Sequence, residues 1–182
     1  HSINLSCVEI LLKTIDSNEK AYLLGWIANC SYDDGEALVI ETTIANKDML
    51  TQLRDMICKD IEIGYNKNLV HINIYSERFK SFIHSHLYLD NVLHFPVFED
   101  DTYTISFIRG YFDSRGVIGL TLNKEPYATI NSNHKEIIQQ ISEIINIPSI
   151  MNDYSLSWYN INCIDFLSQI YKNSNIHLEY NY

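Results

Sequence analysis

Two stretches decide the architecture: EKAYLLGWIANCS at residues 19–31 and TISFIRGYFDSRG at residues 104–116. In the first, Ala21 and Gly25 are four apart and Ala28 lies three further on. In the second, Ser106, Gly110 and Ser114 are spaced by four. Small residues one turn apart carve a groove on a helix in which a second backbone can lie close. A glycine inside a helix costs about 1 kcal/mol relative to alanine, so two such glycines call for compensation. Packing of the two stretches against each other as helices supplies it.

Working outward, each stretch opens the same order of elements. Asp16 and Glu19 read as a capping box before the helix Ala21–Cys30. After Tyr32-Asp33-Asp34-Gly35, residues 37–46 alternate: Leu38, Ile40 and Ile44 face the core, and Val39, Glu41 and Thr43 face outward. Residues 47–59 place Met49, Leu50, Leu53, Met56 and Ile57 on one helical stripe. IEI (61–63) and LVHINIY (69–75) read as a hairpin around Gly64–Asn68, with Val70, Ile72 and Ile74 inward. Ser76 then caps a helix through Phe79, Phe82, Ile83 and Leu87. The second half follows with a helix over 104–114, strands over 117–123 and 127–132, and an Ile-rich helix over 134–145 (Ile137, Ile138, Ile141, Ile144, Ile145). Strands over 147–151 and 154–160 and a helix capped by Asn162 complete it. The fold class is α/β (α+β): tandem αββαββα repeats related by a pseudo-twofold axis, with residues 1–18 as lead-in and repeats over 19–100 and 101–182 sharing one compact domain. The first repeat looks shortened, with room for one strand between its first two helices.

The 182 residues include 13 Lys plus Arg against 23 Asp plus Glu, a net charge of -10. That balance excludes a protein that coats nucleic acid by charge alone, and it falls unevenly, -7 on residues 1–100 and -3 on 101–182. No stretch reaches the roughly 20 apolar residues of a membrane span, and no export signal opens the chain, so a soluble intracellular protein with no membrane partner is expected. Cys7, Cys30, Cys58 and Cys163 form no C-x-x-C pair, which argues against zinc or a disulfide framework. His84, His86 and His94 read as surface histidines rather than metal ligands. The sequons at Asn4 and Asn29 carry no weight without export.

The two opening stretches resemble the paired signature helices of single-chain LAGLIDADG homing endonucleases: LLGWIANCS at 23–31 and IRGYFDSRG at 108–116, with glycines 85 positions apart. HFP at 94–96, the ATINSNHKEI segment and INCIDFLSQIY extend the resemblance over residues 19–171, towards intein-type and giant-virus-type members. It implies a monomeric pseudodimer with the two helices as its central interface, formed by Ala21, Gly25, Ala28, Ser106, Gly110 and Ser114. It also implies a saddle of two sheets over double-stranded DNA, and an acidic residue at the eighth motif position of each helix holding divalent metal at the scissile phosphates.

Here the eighth residues are Cys30 and Arg115. A thiol is a soft, largely neutral ligand and a guanidinium repels a dication, so loss of cleavage is expected, with no cofactor and Mg²⁺ relevant only to residual nuclease activity. The fallback carboxylates are Asp34, if the first helix ran a turn longer, and Asp113 at the sixth motif position, about 200° around the helix from the eighth. Outward candidates on the saddle are Thr43, His71, Asn73 and Tyr75 in the first half and Thr129, Asn131, Ser157 and Tyr159 in the second, with Val39, Glu41, Thr121 and Ser155 beside them. Lys47, Arg54, Lys67, Arg78 and Lys80 could meet backbone phosphates from the flanks. Three expectations follow: a degenerate endonuclease-like protein that binds DNA weakly, a recruited interaction module whose acidic surface meets a basic protein, or an active endonuclease using Asp34 or Asp113.

Overall fold

The computed structural model describes residues 6–172. A lead-in helix α1 (Ser6–Leu11) precedes the first repeat: α2 (Asn18–Cys30), β1 (Ser31–Asp33), β2 (Leu38–Thr43), α3 (Lys47–Ile57), β3 (Gly64–Asn66), β4 (Leu69–Ile74) and α4 (Glu77–Leu87). A small hairpin, β5 (Tyr88–Leu89) and β6 (Val92–Leu93), leads into the second: α5 (Asp101–Arg115), β7 (Gly116–Leu120), β8 (Pro126–Asn131), α6 (Lys135–Ile145), β9 (Ile150–Met151), β10 (Ser155–Tyr159) and α7 (Ile161–Tyr171). Both repeats read αββαββα, and their antiparallel sheets share one strand order, β1-β2-β4-β3 and β7-β8-β10-β9.

The inner faces of the sheets meet the helices. Ile40, Val70, Ile72 and Ile74 in one sheet and Ala128, Ile130, Leu156 and Trp158 in the other are fully buried. Period-2 burial on one face is what antiparallel strands with a single covered side require. Trp158 stacks on Phe166 of α7 at 3.7 Å between ring centroids. Val8 of α1 and Leu12 just after it are fully buried against the first repeat, and His86 Nε2 meets the Leu12 carbonyl at 2.8 Å.

Several local expectations are corrected. The first repeat has two strands between its opening helices, because the β1–β2 turn is tight: Asp34 accepts from the amides of Glu36 and Ala37, and Gly35 takes φ +98°. The cap of α2 is Ser17, accepting from the Lys20 amide, while Asp16 pairs with Lys20 at 2.8 Å. β3 lies at Gly64–Asn66, not 61–63, because Lys67 adopts φ +58° and places the reversal at 67–68. Asn160, at φ +58°, rather than Asn162, precedes α7. Val39 is buried, Ile44 turns out at 50 % exposure in a 3-10 turn after β2, and Ile144 is exposed on α6. Ser76 does cap α4, accepting from the Phe79 amide.

Among the described residues no helix is long and apolar enough to cross a membrane, and Cys30, Cys58 and Cys163 are free thiols. Asn4 and the Cys7 side chain lie outside the described residues.

Candidate functional site

Helices α2 and α5 cross with their backbones in contact, and the two glycines permit it. A Cβ on Gly25 would overlap the Phe107 carbonyl oxygen and lie 2.8 Å from the Tyr111 amide. One on Gly110 would overlap the Tyr22 carbonyl oxygen and lie 3.3 Å from the Trp26 amide. Ala21, Ala28, Ser106 and Ser114 are all buried along this contact. Ser106 Oγ donates to Asn18 Oδ1 across it at 2.9 Å, whereas Ser114 Oγ turns back to the Tyr111 carbonyl at 2.8 Å.

The contact fixes the two helix C-termini side by side. Asn29 Nδ2 donates to the carbonyls of Tyr111 and Asn131, both at 3.1 Å, and the Cys30 thiol donates to the Ser114 carbonyl at 3.5 Å. A cleft of about 590 Å³ opens at this end, lined by Asn29, Cys30, Glu41, Thr43, Arg115 and Asn133 among others. The carbonyl ends of two helices converge there, a field that favours a cation such as Arg115.

Burial pushes the Cys30 thiol up to about 11, with Glu41 adding to the rise and the Ser114 hydrogen bond and Arg115 opposing it. At neutral pH the thiol is therefore protonated and a poor metal ligand. We expect Cys30 to be alkylated by iodoacetamide at pH 8 about 100-fold more slowly than an ordinary thiol, from its smaller thiolate fraction. Mass spectrometry of peptides after timed labelling measures this, and labelling at the rate of a free thiol would refute it. Asn29, 6 % exposed, has its Oδ1 without a hydrogen-bond partner among the described residues. Burial, then the neighbouring Arg115 charge, lowers the His134 pKa.

Neither fallback carboxylate reaches the cleft. Asp113 is fully buried on α5, its oxygens taken by the hydroxyls of Tyr22, at 2.6 Å, and Tyr171. Asp34 is held in its own turn beyond β1, where the two amide bonds lower its pKa. The helix does not run the extra turn that would bring it to the eighth position: Ser31 is already extended. Among the described residues no group of three His, Cys, Asp or Glu side chains is arranged to hold a metal ion. Among the cleft's titratable side chains Glu41 is the one carboxylate, beside a protonated thiol and a guanidinium, and the remaining oxygen donors are neutral amides and hydroxyls, a set poorer in carboxylates than a hard divalent cation takes.

No family model matches the sequence, and no curated protein does. Solved structures do. The N-terminal LAGLIDADG domain of DUF199/WhiA matches at TM-score 0.60 and 20 % identity over 97 % of this chain and 96 % of its own. A mesophilic variant of the homing endonuclease I-DmoI matches at 0.58 and 18 % over 84 % and 95 %, and I-WcaI bound to its DNA recognition sequence at 0.58 and 13 % over 93 % and 89 %. This chain has the LAGLIDADG fold.

The outward faces of the two sheets carry the surface residues expected from strand parity. On the first sheet Thr43 is exposed at the end of β2. His71 lies over Gly64, where a Cβ would come within 2.6 Å of its Cε1, and its Nδ1 has no hydrogen-bond partner among the described residues. Asn73 donates to the Tyr75 hydroxyl at 3.4 Å. On the second sheet Asn131 Nδ2 donates to the Arg115 carbonyl, and Thr129 and Ser157 share a 2.8 Å hydrogen bond that leaves Ser157 buried. Tyr159 is exposed beside Tyr127. Of the flanking cations, Arg54 is tied to Asp55 and the Ile61 carbonyl, Lys80 to Asp33 and Glu77, and Lys47 sits over the Tyr65 ring. Sequence reading missed Asn29 and Tyr127. Asn29 directly precedes Cys30, and Tyr127 lies in the cross-strand pair Gly119–Tyr127, a pairing only the register reveals.

Proposed function

We propose that this LAGLIDADG-fold protein binds double-stranded DNA weakly across its two sheets and does not hydrolyse it. The observation that carries the reading is the pair Cys30 and Arg115 at the convergent helix ends, where carboxylates would be needed to hold two cations against phosphate. Arg115 can itself neutralise a backbone phosphate, a role that needs no metal. The protein's -10 charge and the engagement of Arg54 and Lys80 within the fold leave few cations for phosphate contacts. I-WcaI, with the same fold, is bound to its DNA recognition sequence, which supports the choice of ligand.

Selection from a random duplex library, followed by incubation of the enriched duplexes with Mg²⁺ or Mn²⁺, tests both halves of the reading. The expected result is binding without strand cleavage, with log K falling against log salt at a slope of about -2 to -3, as for two or three neutralised phosphates. Metal-dependent cleavage would overturn the inactive reading. Absence of duplex binding at low salt would remove DNA and favour a basic protein docked on the acidic surface.

A further inference from the structure

The outward face of the second sheet carries no charged side chain between Val117 on β7 and Ile150 on β9; every residue there is apolar, hydroxylic, an amide or a glycine. Two rings lie on this neutral surface. Tyr127 covers its cross-strand partner Gly119, where a Cβ would meet the tyrosine hydroxyl oxygen at 2.9 Å and its Cε1 and Cζ at 3.0 Å. Without a side chain at 119 the ring rests flat against β7. Tyr159, opposite Tyr127 on β10, holds its ring 6.2 Å away at an interplanar angle of 32° and is 38 % exposed. At the foot of the same face Arg115 stands four residues, about 13 Å, from Gly119 and makes no ion pair among the described residues.

A duplex keeps the faces of its bases inside the stack, so it can use neither ring as a platform. An unpaired base can, and stacking on an aromatic side chain contributes without any neutralised phosphate. In a chain this acidic, a neutral aromatic face flanked by one guanidinium matches a ligand whose bases face the protein and whose phosphates touch it sparingly. We propose that the second sheet binds single-stranded DNA, with bases stacked on Tyr127 and Tyr159 and an adjoining phosphate held by Arg115. The proposal rests on the reading above that the two sheets take DNA, and it adds to the duplex proposed there an unpaired strand held on the second sheet.

Fluorescence anisotropy with a labelled 12-nucleotide oligo-dA, an abasic strand of equal length and charge, and a 12-base-pair duplex tests it. The base-bearing strand should bind at least tenfold more tightly than the abasic one. Tyr159→Ala should lower its affinity about tenfold while leaving abasic binding unchanged. Gly119→Val, which keeps both rings but lifts Tyr127 from β7, should have an effect of the same order, and its far-ultraviolet circular dichroism verifies that the sheet is intact. Arg115→Gln should weaken both strands equally. Equal binding of the abasic strand, or indifference to both Tyr159→Ala and Gly119→Val, would overturn the stacking assignment. Duplex binding without single-strand binding would overturn it and leave the proposed function standing. Single-strand binding without duplex binding would do the reverse.

Discussion

Gly25→Ala and Gly110→Ala will each destabilise the protein by about 2–4 kcal/mol, and the double substitution will abolish a cooperative unfolding transition. The added methyl group meets backbone in both cases, the Phe107 carbonyl and Tyr111 amide for Gly25 and the Tyr22 carbonyl for Gly110. A flexible side chain could swing away; a helix backbone yields only by separating α2 from α5 along their length. Overpacking of a core costs roughly 1–3 kcal/mol, and occasionally more, and here the rigid neighbour puts the effect at the upper end. The better helix propensity of alanine returns about 1 kcal/mol, which is too little to reverse the sign. Gly35→Ala is the control: nothing lies within 4 Å of its Cβ, and only its φ of +98° opposes the change, so a loss of about 1 kcal/mol is expected. Urea unfolding followed by tryptophan fluorescence measures all of these, since Trp26 and Trp158 are buried in different repeats. Losses below 1 kcal/mol at both Gly25 and Gly110 would mean that the helices do not meet backbone to backbone.

That contact was the most legible feature of the sequence, because it depends on residue size at fixed spacing, which primary structure states directly. Inward faces with strict alternation, such as Val70, Ile72 and Ile74, were equally legible. What could not be read was set by dihedrals and by partners distant in sequence. Lys67 at φ +58° moves β3 out of IEI into GYN, although lysine is no signal for a left-handed turn. β1 is three residues long and exists because the Asp34 side chain closes the turn on the amides of Glu36 and Ala37. Ile44 broke its alternation because the strand ends at Thr43. At the candidate site, the substitutions Cys30 and Arg115 were visible as departures from a motif. The coupling of Asn29 to the Asn131 carbonyl spans 102 residues and had no sequence signal. Tyr127 shares the outward parity of Thr129 and Asn131, but the pairing that lays its ring on Gly119 is set by register.

Asp113 was the carboxylate hardest to assign from sequence, and its surroundings predict a structural role with a large cost of removal. Its oxygens accept from Tyr22 on α2 and Tyr171 on α7, so one side chain ties three helices together. Arg109, one turn earlier on α5 and 5 % exposed, donates to the Ile170 carbonyl and lies over the Tyr22 ring. Burial works against the Arg109 charge, and the Asp113 carboxylate is the largest influence favouring it. Asp113→Leu removes the largest influence favouring the buried Arg109 charge, together with the carboxylate to which the Tyr22 and Tyr171 hydroxyls donate. Removing one partner of a buried charged pair costs about 3–5 kcal/mol. If the charges are the cause, replacing both should cost much less than the sum of the single losses: Arg109→Met with Asp113→Leu should recover at least about 1 kcal/mol of coupling in a double-mutant cycle. Asp113→Asn keeps the shape and one acceptor oxygen, and should fall between wild type and Asp113→Leu. The measurement is equilibrium urea unfolding of the four proteins, with DNA binding assayed on those that remain folded. A direct part in chemistry at the cleft predicts the opposite pattern, with wild-type stability for Asp113→Asn and a selective loss at the nucleic-acid site. Additive losses across the cycle would show instead that Asp113 and Arg109 act independently, and the stabilisation would then have to reside in the two tyrosine hydrogen bonds alone.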